Sequence, residues 1–179
     1  GLCVNRRSDD LLRRPDGVIA NFRINETNIP FTRCADYYSK AVFSAEFFGN
    51  YVKFTSKLGF FDCAQTVGVF SRTCGEQRVF SIRNNTKSIV RGVLGIYFEP
   101  SLSRDADERA HPAFLKMFID SYYDKENEIA VFCRKSRTNG ETVWLAVGFF
   151  TPLNHITVFD RESVLERPNG IFSLADTAR

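Results

Sequence analysis

Methionine and tryptophan occur once each and histidine twice in 179 residues, and no two cysteines form a CxxC pair. So few imidazoles and no paired thiols exclude the usual zinc sites, which draw several ligands from short spacings. His111 and His155 have no acid or nucleophile motif beside them and read as surface residues. No apolar run reaches the roughly eighteen residues that span a bilayer. Gly1 is followed by no charged-then-apolar leader, which reads as a processed chain whose targeting segment has been removed. Charge of one sign is also missing: 24 basic against 21 acidic residues leave a net charge of +3. Interspersed charge of that size makes no field for nucleic acid, so none is expected as a partner.

What is present is aromatic and β-prone. The chain is 44% apolar with eighteen Phe and six Tyr, a composition that suits sheet faces better than packed helices. Its length fits one compact domain with a full core. Residues 1–16 are polar, lack a sustained period and close on Pro15, so they read as an extended arm. Between Gly17 and Glu46, the residues Tyr37, Tyr38, Ala41, Val42 and Ala45 fall near one helical face and predict a helical turn or two. From Gly49 the period becomes that of strands: YVKFTS, FDCAQTVGVFS, RVFSIRN, SIVRGVLGIYF, AFLKMFID, EIAVFCRKS and ETVWLAVGFFT, separated by NNTK, DKEN and TNGE. Asn139-Gly140 predicts a tight hairpin between the last two, since both residues tolerate positive φ. PSLSRDADERAHP, residues 100–112, reads as an exposed contact loop. The expected fold is all-β, an antiparallel up-and-down barrel with an extended N-terminal arm, against which a β-sandwich is the alternative. Residues 1–46 would be arm and lead-in, and 47–179 the barrel with a C-terminal extension.

Five cysteines stand at 3, 34, 63, 74 and 133. An odd number leaves at least one thiol free or paired outside this sequence, and wide spacing fits one or two disulfides in an oxidising compartment or buried thiols in a reducing one. Cys133, beside Arg134 and Lys135, reads as an inward strand thiol rather than a reactive one. Asp62, at a strand start, reads as a turn anchor.

Several short motifs, taken in order, resemble the lipocalin-like domain of the violaxanthin de-epoxidase family. They are CVNRRSD (3–9), NFRIN (21–25), FFGNY (47–51), the Phe-Asp-Cys within FFDC (60–63), EIAVFCRKSR (128–137) and WLAVGFFT (144–151). The resemblance runs from Cys3 to about Thr151 and implies a lipocalin-like barrel around an apolar cup. It implies Tyr51, Ala64, Thr66, Cys133, Trp144 and Phe150 as residues lining that cup. It also implies Cys63 as one half of a disulfide, with Cys34, Cys74 or Cys133 as the other.

De-epoxidation needs a proton donor facing the ligand. At the positions matching the family's polar residues this chain carries Ala64, Thr66, Cys133 and Phe150, while the family's acid falls near Pro112, with Asp105, Asp107 and Glu108 within a slide of register. The resemblance therefore implies no catalytic residues and an inactive relative: a lumenal accessory subunit of a photosystem or light-harvesting antenna, peripheral to the thylakoid membrane. Three other readings stay open at this point: a soluble carrier of carotenoid, chlorophyll or lipid, an active xanthophyll de-epoxidase, and a secreted lipocalin for small hydrophobic ligands.

Overall fold

In the computed structural model, the residues described are 2–5, 17–25, 27–32, 40–136, 140–151 and 153–160. Among them are twelve strands and two short helices, so the chain is all-β. They divide into two compact units, one of residues 19–97 and one of residues 1–18 with 98–179.

The unit of residues 19–97 holds two sheets. β4 (Val42–Phe47), β5 (Tyr51–Leu58), β6 (Phe61–Val69) and β7 (Glu76–Asn84) form an antiparallel meander in chain order. The β5–β6 turn is tight because Leu58 pairs with Phe61 and Gly59 takes a φ of +58°, the value a type II′ turn requires at its first central residue. The second sheet runs β3 (Thr27–Pro30), β2 (Ile19–Ile24), β8 (Val93–Tyr97). Period-2 alternation decides the core. Ala20, Ile29 and Phe31 from the smaller sheet meet Cys63 of β6, and Phe22, Ile24, Leu58, Phe61, Phe80, Leu94 and Ile96 pack around them. Phe31 is fully buried and meets Phe80 edge-on at 5.1 Å. Gly92 leads into β8 where a Cβ would stand 2.5 Å from the Arg23 carbonyl oxygen, so the backbones of β2 and β8 can close there only on glycine.

In the other unit, β1 (Leu2–Asn5) pairs with β9 (Pro100–Arg104), which leads into α1 (Asp105–Ala110) and α2 (Pro112–Lys116). β10 (Ile119–Asp124), β11 (Ile129–Lys135) and β12 (Thr142–Gly148) make a three-stranded antiparallel sheet.

No closed barrel is present among the described residues: the strands form four separate sheets, none of which returns to its first strand. The up-and-down expectation fails at β2–β8 and β1–β9, pairings that skip the strands between them and end the meander at β7. Val42 and Ala45 lie on β4 rather than on a helix, while Tyr37 and Tyr38 lie outside the described residues. AFLKMFID begins as α2 and becomes a strand only at Ile119. The 100–112 segment is a strand and a helix with buried residues, not an open loop. β11 and β12 pair as expected, from Lys135↔Thr142 to Ile129↔Gly148, but not through a two-residue turn at Asn139-Gly140: the Ser136 N–H donates to the Glu141 carbonyl, which leaves the four residues 137–140 as the connection, with Gly140 at a φ of +71°.

Candidate functional site

The densest polar chemistry lies where β9 meets α1. Ser101, Leu102 and Ser103 are all buried, and Leu102 between the serines has a φ of +50°. Its carbonyl accepts a 3.1 Å hydrogen bond from Nη1 of Arg134 on β11. Glu108 of α1, only 1% exposed, turns in toward the serines. Ser101 donates to Glu108 Oε2 at 2.5 Å, the two serine hydroxyls lie 2.7 Å apart, and Ser103 reaches the same carboxylate oxygen only at 3.5 Å. Glu108 Oε1 and Arg134 Nε find no hydrogen-bond partner. On the outer side of α1, Asp105 and Arg109 form a 2.9 Å ion pair one helical turn apart, and the Cys3 thiol donates to Asp105 at 3.8 Å. Lys116 of α2 pairs with Glu99. This is a clamp: its carboxylate is spent on holding β9 to α1.

The sheet β10–β12 beside it has two unlike faces. Register places Tyr123, Ala130, Phe132, Arg134 and Leu145 on one. The middle of that face is covered, since Phe132 meets Phe98 and Phe159 edge-on and Tyr123 meets His155, while Ser121 and Val147 on its outer strands are exposed. The His155 Nδ1 lies 3.0 Å from the Leu153 carbonyl oxygen, which can only accept, so Nδ1 carries the proton. In the neutral ring Nε2 is then left to accept from the Tyr123 hydroxyl at 2.8 Å. The opposite face carries Asp120, Tyr122 and Asp124 from β10, Ile129, Val131, Cys133 and Lys135 from β11, and Thr142, Trp144 and Ala146 from β12. Trp144 is 60% exposed and Tyr122 50%, while Val131, Tyr122's register partner on the central strand, is buried. Asp120 and Ala146 are exposed. Asp124 is held below the usual carboxylate range by hydrogen bonds from the Asn127 side chain and backbone, so it closes its own turn.

Of the residues expected to line a cup, Cys133 and Trp144 are register partners on β11 and β12, and Tyr51, Ala64 and Thr66 share one face of the β5–β6 pair. Ala64 and Thr66 alternate with Cys63 and Gln65, which are buried, and therefore point away from the core of their sheet. Tyr51 stacks on Phe48 at 4.3 Å at the β4–β5 turn, and Phe150 stands 78% exposed after β12. The expected bridge among Cys63, Cys74 and Cys133 is not formed: these and Cys3 are free thiols, and Cys34 lies outside the described residues. Burial pushes the Cys63 thiol up to about 11, the neighbouring Asp62 carboxylate adds to this, and a hydrogen bond with Ser56 opposes both. His155, expected at the surface, is half-buried against Tyr123 and Phe149, whereas His111 is exposed. Among the described residues no three His, Cys, Asp or Glu side chains cluster to hold a metal, and no helix is long and apolar enough to cross a membrane.

The role of Glu108 and its serines, and the exposure of Tyr122, went unread in the sequence. For Tyr122 the reason is plain, because IDSYYD alternates without an evident apolar face. For Glu108 the one available signal is the i,i+7 and i,i+5 spacing from two serines, which has no meaning until β9 folds back on α1.

Residues 25–165 match the model of the family described as glycosyl hydrolase 94, supersandwich domain. No curated protein matches the chain. The family match spans β3 to β12 and overturns the likeness to violaxanthin de-epoxidase, and with it the accessory photosystem subunit and the pigment carrier, de-epoxidase and secreted lipocalin readings. The motifs behind that likeness are short runs of alternating aromatic and aliphatic residues, and any antiparallel sheet supplies these in series.

Proposed function

We infer what this chain does from the family to which it belongs, that of the glycosyl hydrolase 94 supersandwich domain: it is a β-structured part of a carbohydrate-processing protein and contributes saccharide-binding surface to it. The family match across ten of the strands, β3 to β12, carries this reading. The disposition of the acids supports binding over bond cleavage. Glycoside hydrolysis commonly uses two carboxyl groups facing each other across the scissile bond, about 5 to 10 Å apart. Here Glu108 is buried under Ser101, Asp105 pairs with Arg109, Asp124 closes a turn, and Asp62 accepts from Asn85 beside Lys57. These carboxylates serve local structure, and among them none faces a second acid across an open groove.

Titration calorimetry of the chain with neutral hexasaccharides of different linkage (maltohexaose, cellohexaose, xylohexaose) tests the reading. Saturable binding of at least one is expected. Absence of binding to all three would overturn it, and release of reducing sugar by the chain alone would overturn its non-catalytic part.

A further inference from the structure

We propose that the open face of the β10–β12 sheet is a stacking platform for a neutral pyranose chain, with Trp144 and Tyr122 as the ring contacts and Asp120 as a hydroxyl acceptor. The proposal rests on the carbohydrate reading above and names the surface that would serve it.

A pyranose has two kinds of surface. Its ring faces are C–H groups, and its rim is hydroxyl. The complement is a flat aromatic face, whose π-cloud is negative and attracts C–H groups, flanked by acceptors and donors at the edge. This sheet face has that make-up in register. One row is Asp120, Cys133, Trp144 and the next is Tyr122, Val131, Ala146. Trp144 and Tyr122 thus sit on the two outer strands, two strands and two residues apart, which at about 4.8 Å per strand and 3.4 Å per residue separates their Cα atoms by about 12 Å. Between them the floor is low and apolar, formed by Val131, Cys133 and Ala146. At the rim stand Asp120 beside Tyr122, and Lys135 paired in register with Thr142.

Exposure makes these rings available: Trp144 and Tyr122 keep half or more of their surface open, while the aromatic residues of the opposite face are engaged with Phe98, His155 and Phe159. The charges argue against a protein partner. Asp120, Asp124 and Lys135 lie on the same small face as the rings, and the buried centre of a protein interface is depleted of such groups. For a saccharide they are useful, because rim hydroxyls need partners where ring faces do not.

Trp144 is the chain's sole tryptophan, so its emission reports this face alone. Titration with the hexasaccharide that gives calorimetric binding is expected to shift or quench that emission, with the same midpoint as the heat. Trp144→Ala and Tyr122→Ala should each weaken binding about tenfold or more, and Asp120→Asn about threefold, with Trp144→Phe retaining most of it. Phe48→Ala, at the exposed Phe48–Tyr51 stack of the other unit, should leave affinity unchanged. Calorimetric binding with unmoved emission and with undiminished affinity in both alanine variants would overturn the platform and leave the carbohydrate reading standing. Failure of the wild-type chain to bind any saccharide would overturn both. If Trp144→Ala loses its folded circular dichroism, the emission titration and Tyr122→Ala decide.

Discussion

Replacing Glu108 separates two opposing energies that the clamp combines. The carboxylate is buried, which costs several kcal/mol of lost hydration, and it recovers part of that through one short hydrogen bond from Ser101 at 2.5 Å. A bond to an ionised acceptor contributes roughly 1.5–3 kcal/mol, and a buried hydroxyl left without its partner costs about 1–3 kcal/mol. Ser103 at 3.5 Å adds little directly, but it lies 2.7 Å from Ser101 and shares the same chain of hydroxyls. Glu108→Ala removes the acceptor, opens a small cavity and leaves the two buried serine hydroxyls with only each other as partners. The expected loss is about 2–4 kcal/mol, with the relieved desolvation subtracted. Ser101→Ala in the wild-type background should lose about 1–3 kcal/mol, yet in the Glu108→Ala background almost nothing. The coupling is thus about 1.5–3 kcal/mol. Replacing all three polar groups, with Glu108→Leu, Ser101→Ala and Ser103→Ala together, should return stability close to wild type, because an apolar cluster of similar volume needs no hydration repaid. Urea unfolding followed by circular dichroism and by Trp144 emission measures each value, and coincidence of the two probes checks that one transition is being read. Single losses that add to within about 0.5 kcal/mol would show that Glu108 and Ser101 do not act as a unit and would refute the clamp.

Two further outcomes follow from the other unit. Phe31→Ala should destabilise it by about 3–5 kcal/mol, since a fully buried ring packed edge-on against Phe80 leaves a cavity its neighbours fill poorly; a loss below about 1 kcal/mol in urea unfolding would contradict that packing. Cys63 and Cys74 should part sharply in alkylation at neutral pH, with exposed Cys74 modified within minutes and buried Cys63 protected until unfolding. The Cys63 thiol has a folded value of about 11 against an ordinary 9.0, so the folded state keeps its proton where the unfolded chain has released it. The stability this lends is complete below about pH 9 and drains as pH rises toward 11. Cys63→Ala should flatten that part of the alkaline stability curve, and an unchanged slope would remove the inference.

Local signals in the sequence carried the all-β class and the last hairpin, because both rest on physics that acts within a few residues. Alternation in EIAVFCRKS and ETVWLAVGFF sets which side chains share a face, whereas the two-residue turn expected at Asn139-Gly140 would have paired Lys135 with Trp144 rather than with Thr142. Closure was a different matter. The pairings that distinguish open sheets from a barrel, β2 with β8 and β1 with β9, join segments about seventy and a hundred residues apart, and no local pattern in IANFRI or LCVN announces its partner. The 100–112 segment misled for a related reason. Its charge density reads as solvent-facing, yet Glu108 is buried and Ser101 and Ser103 are inside, joined to it by hydrogen bonds that form only once β9 and α1 are packed together.

The pair Cys133 and Trp144 was placed together for a reason that did not survive, since both were expected inside a cup. They do share one face of one hairpin, because period-2 alternation puts Cys133, Trp144 and Ala146 on the same side whichever of the two registers forms. Which way that face looks does not follow from alternation. It depends on what covers the other side, and that is settled by Phe98 and by the residues after β12, whose rings at His155 and Phe159 occupy Tyr123 and Phe132. With that side taken, the alternation that suggested an interior wall leaves Trp144 and Tyr122 in the open, so the same aromatic pattern that pointed to enclosure becomes an argument for surface recognition.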